Sequence, residues 1–125
     1  KCKMETEFEV ETKLYTLPQQ LIIVLKRFNQ QREKIDHVII YPEKLDLKQF
    51  TFQNQNIQRE AFQLETVVLH SGNCWGGHYS AFVVGEKNWF YCNDSIVSKS
   101  SANCEDSRAY VFSYKIEEAE VQESD

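Results

Sequence analysis

The stretch His70-Ser71-Gly72-Asn73-Cys74-Trp75-Gly76-Gly77-His78-Tyr79 is where this chain could do chemistry. Two glycines before a histidine remove side chains where something thin could approach the backbone. His78 opens a strand-like run, so its ring would be held by a rigid element. The next strand-like run ends in Asn93-Asp94. In a hairpin from Tyr79 to Cys92, His78 and Asn93 would lie opposite one another at the open end. An amide or carboxylate there could hydrogen-bond one imidazole nitrogen and leave the other free as a base. That is a base and its orienter awaiting a nucleophile. The plainer reading is a glycine turn followed by a satisfied histidine. A metal is a third reading through His70 and His78, but no carboxylate or Cys stands at helical spacing to complete a ligand set.

The four cysteines are Cys2, Cys74, Cys92 and Cys104, without dense or regular spacing. A disulfide scaffold is disfavoured and a reducing compartment expected. No C-x-x-C pair supports a self-contained zinc site. As nucleophiles the later three are poor: Cys74 could reach His78 but lacks a helix N-terminus to lower its pKa. Cys92 is expected to point from a strand into the core as a small hydrophobe. Cys104 falls in a polar loop.

The elements that must position these residues read as strands. Pro18 precedes an apolar run ending Leu25-Lys26-Arg27-Phe28, expected to be a strand buried on both faces. Polar Asn29 to Glu33 reads as a hairpin turn, His37 to Tyr41 as a strand stopped at Pro42, and Leu45-Asp46-Leu47 as a short element. Gln53 to Arg59 reads as a surface loop. Phe62 to Leu69 alternates and then turns fully apolar, as a strand entering a core does. Tyr79 to Val84 and Trp89 to Cys92 flank a Gly85–Asn88 hairpin loop, with Asn93-Asp94-Ser95 as a turn. Trp89 and Phe90 are expected in the core. Arg108 to Ile116 is a last strand, and Glu117 to Asp125 a solvated acidic tail. Lys1 to Thr16 alternates poorly and starts as if in mid-element. The sheet is expected to be antiparallel, because its connections are too short for helical crossovers.

At 125 residues and 14.7 kDa, with 42% hydrophobic and 13% aromatic residues, the chain can bury a core and is not disordered throughout. No apolar run is long enough to span a membrane, and no basic-then-apolar leader opens the sequence. The formal net charge of −5 argues against nucleic-acid binding and suits a partner with a basic face.

Several blocks, in order, resemble the ubiquitin-specific protease family. They are Leu17-Pro18-x-x-Leu21-Ile22-Ile23-x-Leu25-Lys26-Arg27-Phe28; Lys34-Ile35 with Ile39-Ile40-Tyr41-Pro42 and Leu45-Asp46-Leu47; His70-Ser71-Gly72 with Gly76-Gly77-His78-Tyr79; Trp89-Phe90-x-x-Asn93-Asp94-Ser95-x-Val97; and Ala109-Tyr110-Val111-x-x-Tyr114. The resemblance implies an α+β, papain-like cysteine protease fold, of which this chain is a mostly antiparallel β portion. Residues 1–16 would end the fingers, 17–116 form the palm and 117–125 the tail.

The activity implied is hydrolysis of the bond after ubiquitin's C-terminal Gly-Gly. His78 matches the family's base, Asn93 the third triad member, and Asp94 a helper at the oxyanion or an alternative orienter. Ser71, Gly72, Trp75, Gly76, Gly77 and Tyr79 would contact the narrow substrate end. The family's nucleophilic cysteine box has no match here, so the N-terminal part of the same catalytic domain is an expected partner. This chain alone would be inactive. Cys2 stands near the family's fingertip zinc ligands; structural zinc is thus a possibility, no cofactor is required, and a cytoplasmic or nuclear setting is implied. Cys92, Thr66 and Ser113 depart from the family's usual residues. Two alternatives stay open: a non-catalytic ubiquitin-binding scaffold, and a family member acting on another ubiquitin-like modifier.

Overall fold

Period-2 alternation of apolar residues organises the computed structural model, which describes residues 5–52 and 61–117. The strands are β1 (Gln20–Val24), β2 (Ile39–Ile40), β3 (Lys44–Asp46), β4 (Ala61–Asn73), β5 (Gly76–Val84), β6 (Trp89–Asn93), β7 (Ile96–Ser100), β8 (Glu105–Asp106) and β9 (Ala109–Ile116). A 3-10 turn occupies Lys48–Phe50. The main sheet runs β1-β9-β4-β5-β6-β7, with β3 paired to the end of β4 that β5 leaves free. β2 and β8 form a separate pair, and every named pairing is antiparallel.

One face of the sheet carries the core: Phe62, Leu64, Val67, Leu69, Phe82, Trp89, Ala109, Phe112 and Tyr114, closed over by Tyr41 and Leu47. Two bulges keep that face continuous. The β4–β9 register shifts between Leu64 and Thr66, so Glu65 is an extra residue. The inward positions therefore change from even (Phe62, Leu64) to odd (Val67, Leu69). This is why the sequence alternates and then looks apolar throughout. A second shift leaves Tyr110 unpaired, because Val68 pairs with Val111 and Leu69 with Ala109. Burial pushes the Tyr114 phenol up to about 12, and its hydroxyl donates to the Pro42 carbonyl at 2.8 Å.

Several expectations are corrected. β1 is not buried on both faces: it is an edge strand whose Leu21 and Ile23 pack inward while Ile22 and Val24 stay 56% and 58% exposed. Alternation along β6 sends Trp89 and Tyr91 to the core and Phe90 and Cys92, both half-buried, to the opposite face. The glycine-rich stretch from His70 to Gly77 is mostly paired strand, since β4 and β5 pair through Asn73↔Gly76. The turn after Asn93 is tight and launches β7, a strand the sequence did not signal. The stretch Gln53 to Arg59, Cys2 and all but the first residue of the acidic tail lie outside the described residues.

The Leu25–Phe28 block acts as a fastening. Arg27 is 3% exposed, and its guanidinium donates to the carbonyls of Ala109 (2.9 and 2.7 Å), Ile35 (3.0 Å) and His37 (2.6 Å). It thus ties the end of β1 to the bulge in β9 and to the chain leading into β2.

Candidate active site

His78 and Asn93 meet. The Nε2–H of His78 donates to Oδ1 of Asn93 at 2.5 Å, and in the neutral imidazole this makes Nδ1 the acceptor nitrogen. The two residues are diagonal rather than opposite. Pairing of β5 with β6 runs to Ala81↔Cys92, and one further step would place Asn93 across from Ser80. His78 and Asn93 therefore share a face two positions apart, within reach of long side chains. Both are accessible to solvent, as groups that must meet a substrate need to be. Asp94 sits in the turn at φ 51°, in the left-handed region, and it is Asn93 that accepts the hydrogen bond from His78.

The β4–β5 hairpin presents the remaining sequence-predicted residues. Ser71 pairs with His78 and Gly72 with Gly77. Gly72 has φ 120°, and a Cβ there would fall 2.6 Å from the Gly76 carbonyl oxygen, so only glycine fits. At the tip, Asn73 Oδ1 accepts from the backbone N–H groups of Trp75 and Gly76 at 3.0 and 3.1 Å. Trp75 is 78% exposed, with the Arg32 guanidinium 4.9 Å from its ring centroid. Arg32 lies at φ 64° in the turn closed by Asn29 N–H to Glu33 O and Arg32 N–H to Asn29 O, both 3.0 Å.

Behind the hairpin lies a groove of about 430 Å³ between that turn and the tip, lined by Phe28, His70, Trp75, Tyr79 and Tyr110 among others. Alternation along β5 turns His78 toward the face that Phe82 occupies, and Gly77 and Tyr79 toward the other. His70, weighed in the sequence as a metal ligand, is 4% exposed and packs among aromatic rings. Its centroid is 4.9 Å from Tyr79, 5.9 Å from Tyr110 and 6.0 Å from Phe28. Burial, and then the Lys34 ammonium, hold its imidazole below the ordinary value. Sequence reasoning did not assign Phe28, Arg32, Lys34 or Tyr110 to this neighbourhood. Phe28, Arg32 and Lys34 arrive through the turn at residues 29–33 and Tyr110 through its place on β9 beside the end of β4, and no spacing rule encodes either.

Cys74 and Cys104 are exposed and Cys92 is half-buried; all three are free thiols. Partial desolvation of its sulfur and then the neighbouring Glu43 carboxylate push the Cys104 thiol up although the residue is exposed, the opposite of nucleophile activation. Among the described residues no group of three His, Cys, Asp or Glu side chains could hold a metal ion. No helix of the described residues is long and apolar enough to cross a membrane.

The family model described as ubiquitin carboxyl-terminal hydrolase matches residues 1–114. Ubiquitin carboxyl-terminal hydrolase 9 of Arabidopsis thaliana is 32% identical over 128 residues, covering 97% of this chain and 14% of that protein. Human ubiquitin carboxyl-terminal hydrolase 15 is 34% identical over 121 residues, covering 91% of this chain and 12% of its own length. Among solved structures, the SAGA DUB module containing Ubp8 superimposes with a TM-score of 0.72 at 30% identity. That match covers 85% of this chain and 26% of the solved one. The same module has been solved bound to monoubiquitin, with a TM-score of 0.71 at 30% identity, covering 85% of this chain and 25% of that one. The chain thus spans a small part of the proteins it matches.

Proposed function

The chain belongs to the ubiquitin-specific protease family, and on that premise we propose that it supplies the general base and its orienter to a thiol-dependent deubiquitinase. The observation that carries this reading is the His78–Asn93 hydrogen bond through Nε2, which favours the tautomer that keeps Nδ1 as the base. In the complete enzyme a cysteine from a part of the domain outside this sequence gives its thiol proton to Nδ1. The thiolate attacks the carbonyl of ubiquitin's terminal glycine. As the carbon–nitrogen bond breaks, His78 returns that proton to the leaving amine. It then takes a proton from the water that hydrolyses the thioester. Asn93 holds the ring through both transfers, and Asp94 assists from the adjoining turn.

Ser71, Gly72, Trp75, Gly76, Gly77 and Tyr79 receive the narrow end of the substrate. The open space over Gly76 admits a segment without side chains, and the ring of Tyr79 walls the groove on the strand's other face. Related solved structures, bound to monoubiquitin and to ubiquitin aldehyde, support ubiquitin as the ligand. The net charge of −5 suits a partner with a basic face. The free thiols suit a reducing setting, cytoplasmic or nuclear. A zinc ion has no ligand set among the described residues, and Cys2, near which the resemblance puts a structural zinc, lies outside them.

The test uses the complete protein and ubiquitin bearing a thiol-reactive C-terminal electrophile, with the adduct located by peptide mass spectrometry. An adduct on a cysteine outside this chain is expected. An adduct on Cys74, Cys92 or Cys104 would overturn the split arrangement. Ubiquitin binding without an adduct would point to a non-catalytic scaffold, and no binding at all to another ubiquitin-like modifier.

A further inference from the structure

His70 is buried beside the residues that present His78, yet the mechanism does not use it. Its ring is seated against the backbone of β5: a Cβ at Gly77 would collide with the Nε2 and Cε1 edge of the imidazole. Its centroid is 4.9 Å from the Tyr79 ring. The imidazole therefore contacts the residues on both sides of His78 in the chain. Phe28 and Tyr110 close around the ring at 6.0 and 5.9 Å. The backbone of His70 is fixed as well, its N–H donating to the Arg108 carbonyl at 2.9 Å and its carbonyl accepting from Lys34 Nζ at 2.7 Å. Within this packing Nδ1 is buried with no hydrogen-bond partner among the described residues. An orphaned buried nitrogen is a cost that a phenylalanine or leucine would not incur.

We propose that His70 is a positioning residue for His78, a neutral wedge under Gly77 and Tyr79 whose protonation loosens the strand that carries the catalytic base. This rests on the function proposed above. The groups facing the ring are mostly unable to stabilise a proton on it. From the chain after the 29–33 turn comes the Lys34 ammonium, with the largely exposed Asp36 carboxylate 3.9 Å from it. From β5 and β9 come the Tyr79 and Tyr110 rings, and from β4 the His70 backbone itself. Arg32 and Cys74 share the groove, and the Arg108 guanidinium is occupied by Asp106 at 2.9 and 3.0 Å. No carboxylate packs against the imidazole in this set. A proton on His70 would be buried near an ammonium, and the ring can escape that only by leaving its seat.

Amide hydrogen exchange in the wild-type complete catalytic domain tests the wedge directly. After correction for the intrinsic pH dependence of exchange, the Gly77, His78 and Tyr79 amides are expected to lose protection several-fold relative to β9 amides between about pH 7.5 and about pH 5.5. An unchanged ratio overturns the proposal. Turnover of ubiquitin carrying a fluorogenic C-terminal amide gives the second reading. His70→Gln, which cannot be protonated, is expected to keep kcat within about threefold at alkaline pH and to show a shallower acid limb of kcat/KM. His70→Ala, which removes the wedge, is expected to lower kcat about tenfold or more while KM changes less. A His70→Gln profile superimposable on the wild type, or a His70→Ala enzyme with wild-type kcat, overturns the assignment. If a variant fails to fold, the wild-type exchange measurement still decides. A wild-type enzyme without turnover would instead remove the proposed function, leaving the exchange result to judge the wedge alone.

Discussion

His78 is committed to Asn93 through Nε2, so only Nδ1 can serve a thiol, and substitution separates the two roles. His78→Ala in the complete enzyme is expected to lower kcat by a factor of about 10² to 10⁴ while ubiquitin affinity, read by calorimetry, stays close to wild type. Substantial turnover by that variant would refute the base assignment. Asn93→Ala should cost less, because the adjoining Asp94 carboxylate can take over part of the orientation. A larger loss for Asp94→Ala would exchange the two roles. The pair itself was legible in the sequence, because a Gly-Gly-His at a strand start and an Asn-Asp at a strand end bracket one hairpin. The sequence assigned the orienting role to Asn93 but not the reason why Asn93, and not Asp94, reaches the ring. That depends on alternation along β6 and on the left-handed φ of 51° at Asp94, which a residue list does not show.

The β4–β5 hairpin owes its shape to close contacts that only glycine allows. Gly77→Ala would drive a methyl into the His70 ring and the Ser71 carbonyl oxygen. The variant is expected to lower both the Tm of the catalytic domain and kcat, since the strand shifts as a unit. A Gly77→Ala enzyme with wild-type Tm and kcat would show that the hairpin has slack. Arg27 is the second element-scale dependence, because its four hydrogen bonds join β1, β9 and the approach to β2. Arg27→Ala leaves buried carbonyls unpaired and is expected to cost about 3 kcal/mol by denaturant unfolding, with Arg27→Lys recovering only part of it. The strands around these residues were readable from alternation and turn residues. The bulges at Glu65 and Tyr110 were not, since a bulge is a register relation between two strands and neither sequence alone records it. The apolar run before Phe28 misled for a related reason. Ile22 and Val24 look like core residues, but the described residues place nothing over them.

Two acid-sensitive groups bear on the stability of the whole molecule, and both act in the same direction. His70 is held neutral by burial and by Lys34, so the unfolded chain takes up its proton first, and stability falls as pH drops below about 6.5. Burial alone would raise the Asp106 carboxyl, but the hydrogen bonds and charge of Arg108 outweigh it and hold it low. That contribution is present above about pH 4 and is lost as pH falls through the depressed value. Tm measured against pH should therefore fall in two stages, with His70→Gln flattening the first and Asp106→Asn the second. A single stage unaffected by either variant would contradict both assignments. The sheet as a whole adds a further constraint. One face holds the core, whereas the other carries Ile22, Val24, Val68, Ala81, Val83, Phe90 and Val97 in adjoining rows across the paired strands. The charge and alternation of each strand locate this face but do not reveal its cover, because a strand's second side is buried only by chain elsewhere. On the function proposed above, the rest of a catalytic domain completes this chain and would lie on that face. Ile22→Lys distinguishes the cases. On an open face an edge-strand lysine should change stability by less than about 0.5 kcal/mol. Beneath a packed layer it buries an unpaired charge and should cost about 3 kcal/mol or more. The expected outcome is the small effect in residues 1–125 alone and the large one in the complete domain. Equal small effects in both would mean that the rest of the enzyme reaches His78 without resting on this face.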